Sequence, residues 1–211
     1  MNDSDKALEH LQVIRGLMEK ATVYRAVSVP TALMSGCLAL VVSGILYALN
    51  TSVTPTAVVT AWLAAFIVVK LFHHGLIWKT AKKAGDPYLS SGLRMAFKAL
   101  IPPMFVGGIL GLSLGYGPAA DCVGASLVWV TFYGLALMAT SGFSPRSLRV
   151  LGLAFTLAGS SLLGLYWANP SALLGSMSPQ RASALIMGIT FGLFHLIYAG
   201  IARAQQHGTS A

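Results

Sequence analysis

Six apolar stretches, each long enough to cross a lipid bilayer, follow one another along this chain of 211 residues. A transmembrane helix needs about 20 consecutive apolar residues. Inside lipid, only continuous helices and closed barrels satisfy every backbone polar group, and these runs lack the alternation typical of barrel strands. The sequence therefore predicts an all-α, polytopic membrane protein, a bundle of six transmembrane helices. The predicted spans cover residues 26–49, 56–77, 99–115, 119–139, 150–168 and 182–201.

The composition leaves no room for a separate soluble domain. Hydrophobic residues make up 55% of the chain and charged residues 9%, whereas soluble domains carry about 25% charged residues. The net charge of +8 does not indicate nucleic-acid binding, because the basic residues flank the apolar stretches and form no clustered face. The predicted partner is the lipid bilayer, with no nucleic acid.

Basic residues fall on alternate connections between the spans. The connections at 50–55, 116–118 and 169–181 together carry one basic residue, Arg181. By the positive-inside rule, this asymmetry predicts a bacterial inner-membrane protein with both termini in the cytoplasm. The residues on the predicted cytoplasmic side are Arg15, Lys20, Arg25, Lys79, Lys82, Lys83, Arg94, Lys98, Arg146, Arg149 and Arg203.

The chain divides into three predicted segments: a cytoplasmic arm (1–25), a transmembrane domain (26–203) and a disordered cytoplasmic tail (204–211). The arm is too polar, and the apolar run behind it too long, for a cleavable signal peptide. Its apolar residues recur at helical spacing, which predicts a short amphipathic helix on the membrane surface. A short dimerising coiled coil is the alternative. The apolar residues of the arm are Leu8, Leu11, Ile14, Leu17, Met18 and Ala21.

Glycines at four-residue spacing mark predicted helix-packing faces on the third and sixth spans. Small residues let helix backbones approach closely in lipid, where apolar burial alone supplies little association energy. Pro102 and Pro103 predict a kink, or a late helix start, at the beginning of the third span. The predicted packing residues are Gly107, Gly111, Gly115, Gly188 and Gly192.

Polar and aromatic residues recur in the second half of each even-numbered span, so they should lie at similar depth in the cytoplasmic half of the membrane. Lys70, His73 and His74 share one face of the second span because residues three and four apart are helix neighbours. Tyr133 and His195 occupy the corresponding parts of the fourth and sixth spans. These five residues are the candidate ligand-binding layer.

Lys70 is the least expected of these residues, because it lies about 13 Å deeper along the helix axis than Lys79. Its side chain could snorkel towards the cytoplasm. Alternatively it faces a polar interior, and since no acidic residue lies at its depth in the spans, it would then either become neutral or bind an anion. That alternative favours an anionic ligand or a lipid headgroup.

The sequence predicts no cofactor, no metal site and no catalytic residue. Adjacent histidines point about 100° apart on a helix, so His73 and His74 do not readily share one ion. His74 and His195 lie at matched depth on two different spans, as haem ligands usually do, and haem binding is a minor alternative. Cys37 and Cys122 lie at different depths, which excludes a disulfide, and no carboxylate is placed to orient a histidine base.

Short motifs along nearly the whole chain resemble a widespread, uncharacterised family of small six-span bacterial inner-membrane proteins. The resemblance implies six spans and a cytoplasmic arm, but no activity and no catalytic residues. It also singles out His195 over the His73–His74 pair. The motifs are IRGLMEKA (14–21), AKKAG (81–85), IPPMFVGG (101–108), FYGLAL (132–137), LRVLGL (148–153) and FGLFHLIYAG (191–200).

Three classes of function remain open. The first, which we favour, is a membrane-embedded interaction or regulatory protein whose spans and arm engage a protein partner at the cytoplasmic face. The second is a transporter of a small solute, an anion or a lipid that uses the polar layer. The third is an intramembrane enzyme acting on lipid, which only scattered histidines support. A homo-oligomer is compatible with each class.

Overall fold

The structure is a computed structural model that describes residues 29–84, 91–142 and 144–208. In these ranges every regular element is helical, and six helices are long and apolar enough to cross a membrane. This confirms the predicted all-α polytopic fold. The helices are α1 (29–49), α2 (Pro55–Ala84), α3 (Ser91–Tyr116), α4 (Cys122–Ala139), α5 (Arg146–Ala168), α6 (Pro170–Leu174), α7 (Pro179–Met187) and α8 (His195–Gly208).

The last span is built from three consecutive pieces. A π-helical segment, Gly188–Phe194, joins α7 to α8 without a break in the chain's helical path. The short helix α6 lies in the connection before α7, and a 3₁₀ turn, Asn50–Ser52, follows α1. The predicted arm, residues 1–25, lies outside the described residues.

Successive spans run in alternating directions. At one end, the Tyr166 hydroxyl near the end of α5 donates to Asp121 before α4 (3.0 Å), and Gln180 in α7 donates to the Val53 carbonyl before α2 (3.2 Å). At the other end, Thr31 near the start of α1 contacts His73 in the second half of α2. We call this second end, where Lys79, Lys82, Arg94 and Arg149 lie, the basic end.

Helix α3 begins earlier than the two prolines suggested. It starts at Ser91 and runs through Pro102 and Pro103, so the late start is wrong, and the alternative, a kink, stays a prediction. Proline removes helix donors, but neighbouring helices and local adjustment tolerate it in transmembrane helices. Helix α8, the last helix of the chain, continues to Gly208. It therefore extends into the segment 204–211, which was predicted to be a disordered tail.

Asp121 fixes where α4 begins. Its carboxylate accepts a hydrogen bond from the Gly124 backbone N–H at 2.8 Å, as an N-cap does. The first turn therefore starts at Cys122, just after the residue 119 at which the span was predicted to begin. The same carboxylate oxygen receives the Tyr166 hydroxyl, so the cap also joins α4 to α5.

Helix α4 lies at the centre of the bundle. Of the residues in its apolar part, 61% are buried, against 17% in α2 and in α3. The predicted glycines meet larger side chains on neighbouring helices: Gly107 faces Phe132, Gly111 faces Trp129, Gly115 faces Val59, Gly188 faces Ser43 and Gly192 faces Leu40. These glycine surfaces are therefore occupied by other parts of the same chain.

Glycines that the sequence did not single out bring α4 and α5 together. Gly134 faces the backbone of Thr156, Gly152 faces Leu137, and Gly159 faces the backbone of Thr131. Backbone-to-backbone approach of this kind lets van der Waals contact replace the missing hydrophobic driving force in lipid.

Candidate functional site

Tyr133 and His195 form a hydrogen-bonded pair inside the bundle. The Tyr133 hydroxyl lies 2.9 Å from His195 Nε2, and His195 is only 5% exposed. Either group can donate, depending on the histidine tautomer. The second ring nitrogen, Nδ1, is also buried, and the backbone of Phe191, one turn earlier, lies beside the ring.

Three phenylalanines surround this pair. The Tyr133 ring lies 4.8 Å from Phe155 and 4.9 Å from Phe191, centroid to centroid, and Phe194 packs edge-on against Phe155 at 5.4 Å. The Phe191 and His195 rings stack at 5.8 Å. Phe155 is fully buried at the centre. We call Tyr133, Phe155, Phe191, Phe194 and His195 the ring cluster, and it fills the space between α4, α5 and the last span.

The π-helical segment positions His195, which is the first residue of α8. A π-helix has more residues per turn than an α-helix, so it changes the face that later residues present. Two features accompany the π-helical segment. Gly188 and Gly192 pack closely on α1, and the Thr190 hydroxyl donates a hydrogen bond to the Ile186 carbonyl at 2.7 Å. Such back-bonding often bends helices. The segment therefore turns His195 towards Tyr133.

The second group of candidate residues lies on α2, nearer the bundle surface. His73 Nδ1 lies 3.1 Å from the Thr31 hydroxyl on α1. The His74 ring lies 6.0 Å from Phe97 on α3. Lys70 is partly buried, and its Nζ lies 5.2 Å from the centroid of the Phe66 ring. Three different helices thus share this polar region.

The candidate layer forms two groups. Tyr133 and His195 are in direct contact and are packed among aromatic rings. Lys70, His73 and His74 lie on α2 and are partly exposed, with the His74 ring near Phe97 on α3.

The chemistry available in this region is limited. Asp121 is the one acidic residue among the described positions, and it is bonded at the end opposite to the basic one. No group of three metal-ligating side chains comes together in the ranges that the structure covers. Cys37 is exposed and Cys122 buried, both as free thiols. The region offers cationic and imidazole groups, which suit binding of a negative charge.

The sequence pattern placed Phe194 beside His195, but sequence reasoning missed Thr31, Phe155, Phe191 and the π-helical segment. The i,i+4 spacing of Phe191 and His195 was a usable signal for their stacking. Thr31 gave none, because a threonine near the start of an apolar span is unremarkable. Comparison with protein families, curated proteins and solved structures finds no match to this chain.

Proposed function

We propose that this integral membrane protein is a bacterial inner-membrane protein that acts by binding other membrane components, as a membrane-embedded interaction or regulatory protein. Both termini would lie in the cytoplasm, since the basic end carries most of the Lys and Arg residues. Membership of the six-span bacterial family suggested by the sequence motifs is part of the proposal. The proposal also includes a protein partner that binds at the cytoplasmic face.

The ring cluster is the observation that supports this proposal most. A transporter needs a polar route between its helices, whereas the space between α4, α5 and the last span is filled by aromatic side chains around a fully buried Phe155. Close glycine contacts join α4 to α5 over the same stretch. A rigid interior combined with little-buried α2 and α3 suits a protein that works through its outer faces.

Transport of an anion or a lipid is the second candidate. It is favoured by Lys70, a partly buried cation on α2, and by the π-helical segment before His195, since π-turns are frequent at functional sites. Rearrangement of that segment could open a route past the ring cluster.

A flux measurement distinguishes the two functions. The full chain is reconstituted in liposomes, and the fluxes of chloride, inorganic phosphate and fluorescent phosphatidylglycerol are compared with those of protein-free liposomes. The interaction function predicts equal fluxes, together with a complex larger than the lone chain in polymer nanodiscs cut from native membranes. A saturable flux that Lys70→Leu abolishes, and that Lys82→Leu at the exposed basic end leaves intact, would establish the transporter instead.

A further inference from the structure

The Lys70 side chain turns towards the membrane interior. Helix α2 runs from the end opposite to the basic one towards the basic end, so Phe66 lies one turn deeper than Lys70. The ammonium lies over the Phe66 ring, 5.2 Å from its centroid. Side chains on a helix lean towards its N-terminus, which here means away from the nearer membrane surface. This geometry is opposite to snorkelling.

The nearer membrane surface is marked by Trp78 and Lys82. Lys82 Nζ lies 5.4 Å from the Trp78 ring, and Trp78 is 56% exposed. Tryptophan and lysine are enriched where helices pass through the headgroup region. Lys70 lies about 12 Å deeper along the axis than Trp78. A lipid phosphate held at the headgroup level is therefore too far away to be its natural counterion.

The neighbours of Lys70 on α2 are apolar and outward-facing. Ile67 is 49% and Leu71 is 67% exposed, and Phe66 is 40% exposed. We call Phe66, Ile67, Lys70 and Leu71 the Lys70 face. Lys70 itself is partly buried, so in a bilayer its cation lies at the edge of an apolar face that meets hydrocarbon, which is costly unless a partner covers it.

Among the residues that the structure describes, no carboxylate lies at that depth. Asp121 lies at the far end and is engaged by Gly124 and Tyr166. The other acidic residues, Asp3, Asp5, Glu9, Glu19 and Asp86, fall in the sequence outside all six predicted spans. A second copy of the chain in the same orientation has the same distribution. If Lys70 is charged, a counter-charge at its depth would come from a different molecule.

We propose that the Lys70 face docks a transmembrane helix of a partner protein, and that this helix carries an aspartate or glutamate at the depth of Lys70. The inference rests on the proposed interaction function and names the kind of partner. The carboxylate would pair with the ammonium while Ile67 and Leu71 pack against apolar residues of the partner helix. The charge is then covered on the side that faces lipid.

A designed helix tests this pairing without knowledge of the natural partner. The full-length protein is placed in phosphatidylcholine vesicles with a leucine-rich peptide of about 20 residues that bears one glutamate at the matched depth. Energy transfer between fluorophores on the protein and on the peptide measures association. We expect about tenfold weaker association for the glutamine version of the peptide, and for Lys70→Leu with the glutamate peptide. Lys70→Arg should retain association, and Lys79→Leu is the control nearer the surface.

Equal association of the glutamate and glutamine peptides would overturn the proposal. So would enrichment of labelled phosphatidylglycerol that depends on Lys70, without association of the glutamate peptide, because it would identify a lipid headgroup as the ligand. If the peptide fails to bind but native nanodiscs still contain a complex that survives Lys70→Leu, this docking site is wrong while the interaction function stands. Variants are compared only where their size-exclusion profiles match that of the parent protein.

Discussion

Replacing Phe155 by alanine should destabilise the bundle by about 3 kcal/mol, which is the low end of the usual cost of removing a buried phenylalanine. The low end applies because lipid is as apolar as the core, so loss of packing and of ring contacts dominates over transfer from water. Phe155 is fully buried and touches four other rings, those of Tyr133, Phe191, Phe194 and His195. Unfolding by titration with sodium dodecyl sulfate in mixed micelles, followed by circular dichroism, measures the change.

Leu157→Ala is the matched control for Phe155→Ala. Leu157 lies on the same helix, two residues away, and is 57% exposed. Its truncation should leave the midpoint of the titration almost unchanged, since surface substitutions usually stay within about 0.5 kcal/mol. Equal losses of stability in the two variants would mean that the ring cluster is not a packed core.

The change Gly159→Ala should cost about 1–3 kcal/mol, as overpacking of a well-packed core usually does. The added Cβ would lie 2.6 Å from the backbone nitrogen of Thr131 and 2.8 Å from its Cα. Backbone atoms cannot move aside as a flexible side chain can, so α4 and α5 must separate. The same detergent titration measures the loss.

Gly164→Ala on the same helix serves as the control for this second prediction. Outside the helix's own backbone, no atom of the described residues lies within 4 Å of a Cβ built there, and alanine is the better helix former by about 1 kcal/mol. We expect unchanged or slightly raised stability. If Gly159→Ala behaved like Gly164→Ala, the close approach of α4 to α5 would be contradicted.

The spans were predictable because a helix that crosses lipid needs about 20 consecutive apolar residues. Such a run is visible in the sequence. Helix ends were less predictable, since they depend on single polar contacts such as the Asp121 cap of α4. The prolines did not delay the start of α3, which runs through both of them, because neighbouring helices and local adjustment tolerate proline inside transmembrane helices.

The candidate site was only partly predictable. Counting residues from the basic end gave the depth of Lys70, Tyr133 and His195, and the structure joins Tyr133 to His195 directly. Which face each residue presents depends on the path of its helix. The π-helical segment alters that path just before His195, and no residue pattern in the sequence predicted this segment. The direction of the Lys70 side chain likewise follows from its contact with Phe66, which composition does not reveal.

The packed interior and the largely apolar Lys70 face are separate parts of the bundle. The ring cluster and the α4–α5 glycines pack the interior, so changes there should act on stability. If the proposed docking at the Lys70 face is right, Lys70→Leu should weaken partner binding and leave the fold intact.

Labelling of single cysteines in intact bacterial cells tests the central claim most directly: six crossings with the basic end in the cytoplasm. Cys37 and Cys122 are first replaced, and one cysteine is then introduced at Ser171 or at Lys82, which are exposed at opposite ends. A membrane-impermeant maleimide should label the Ser171→Cys variant in intact cells and the Lys82→Cys variant only after permeabilisation. The reverse pattern, or equal labelling of both variants in intact cells, would contradict the account.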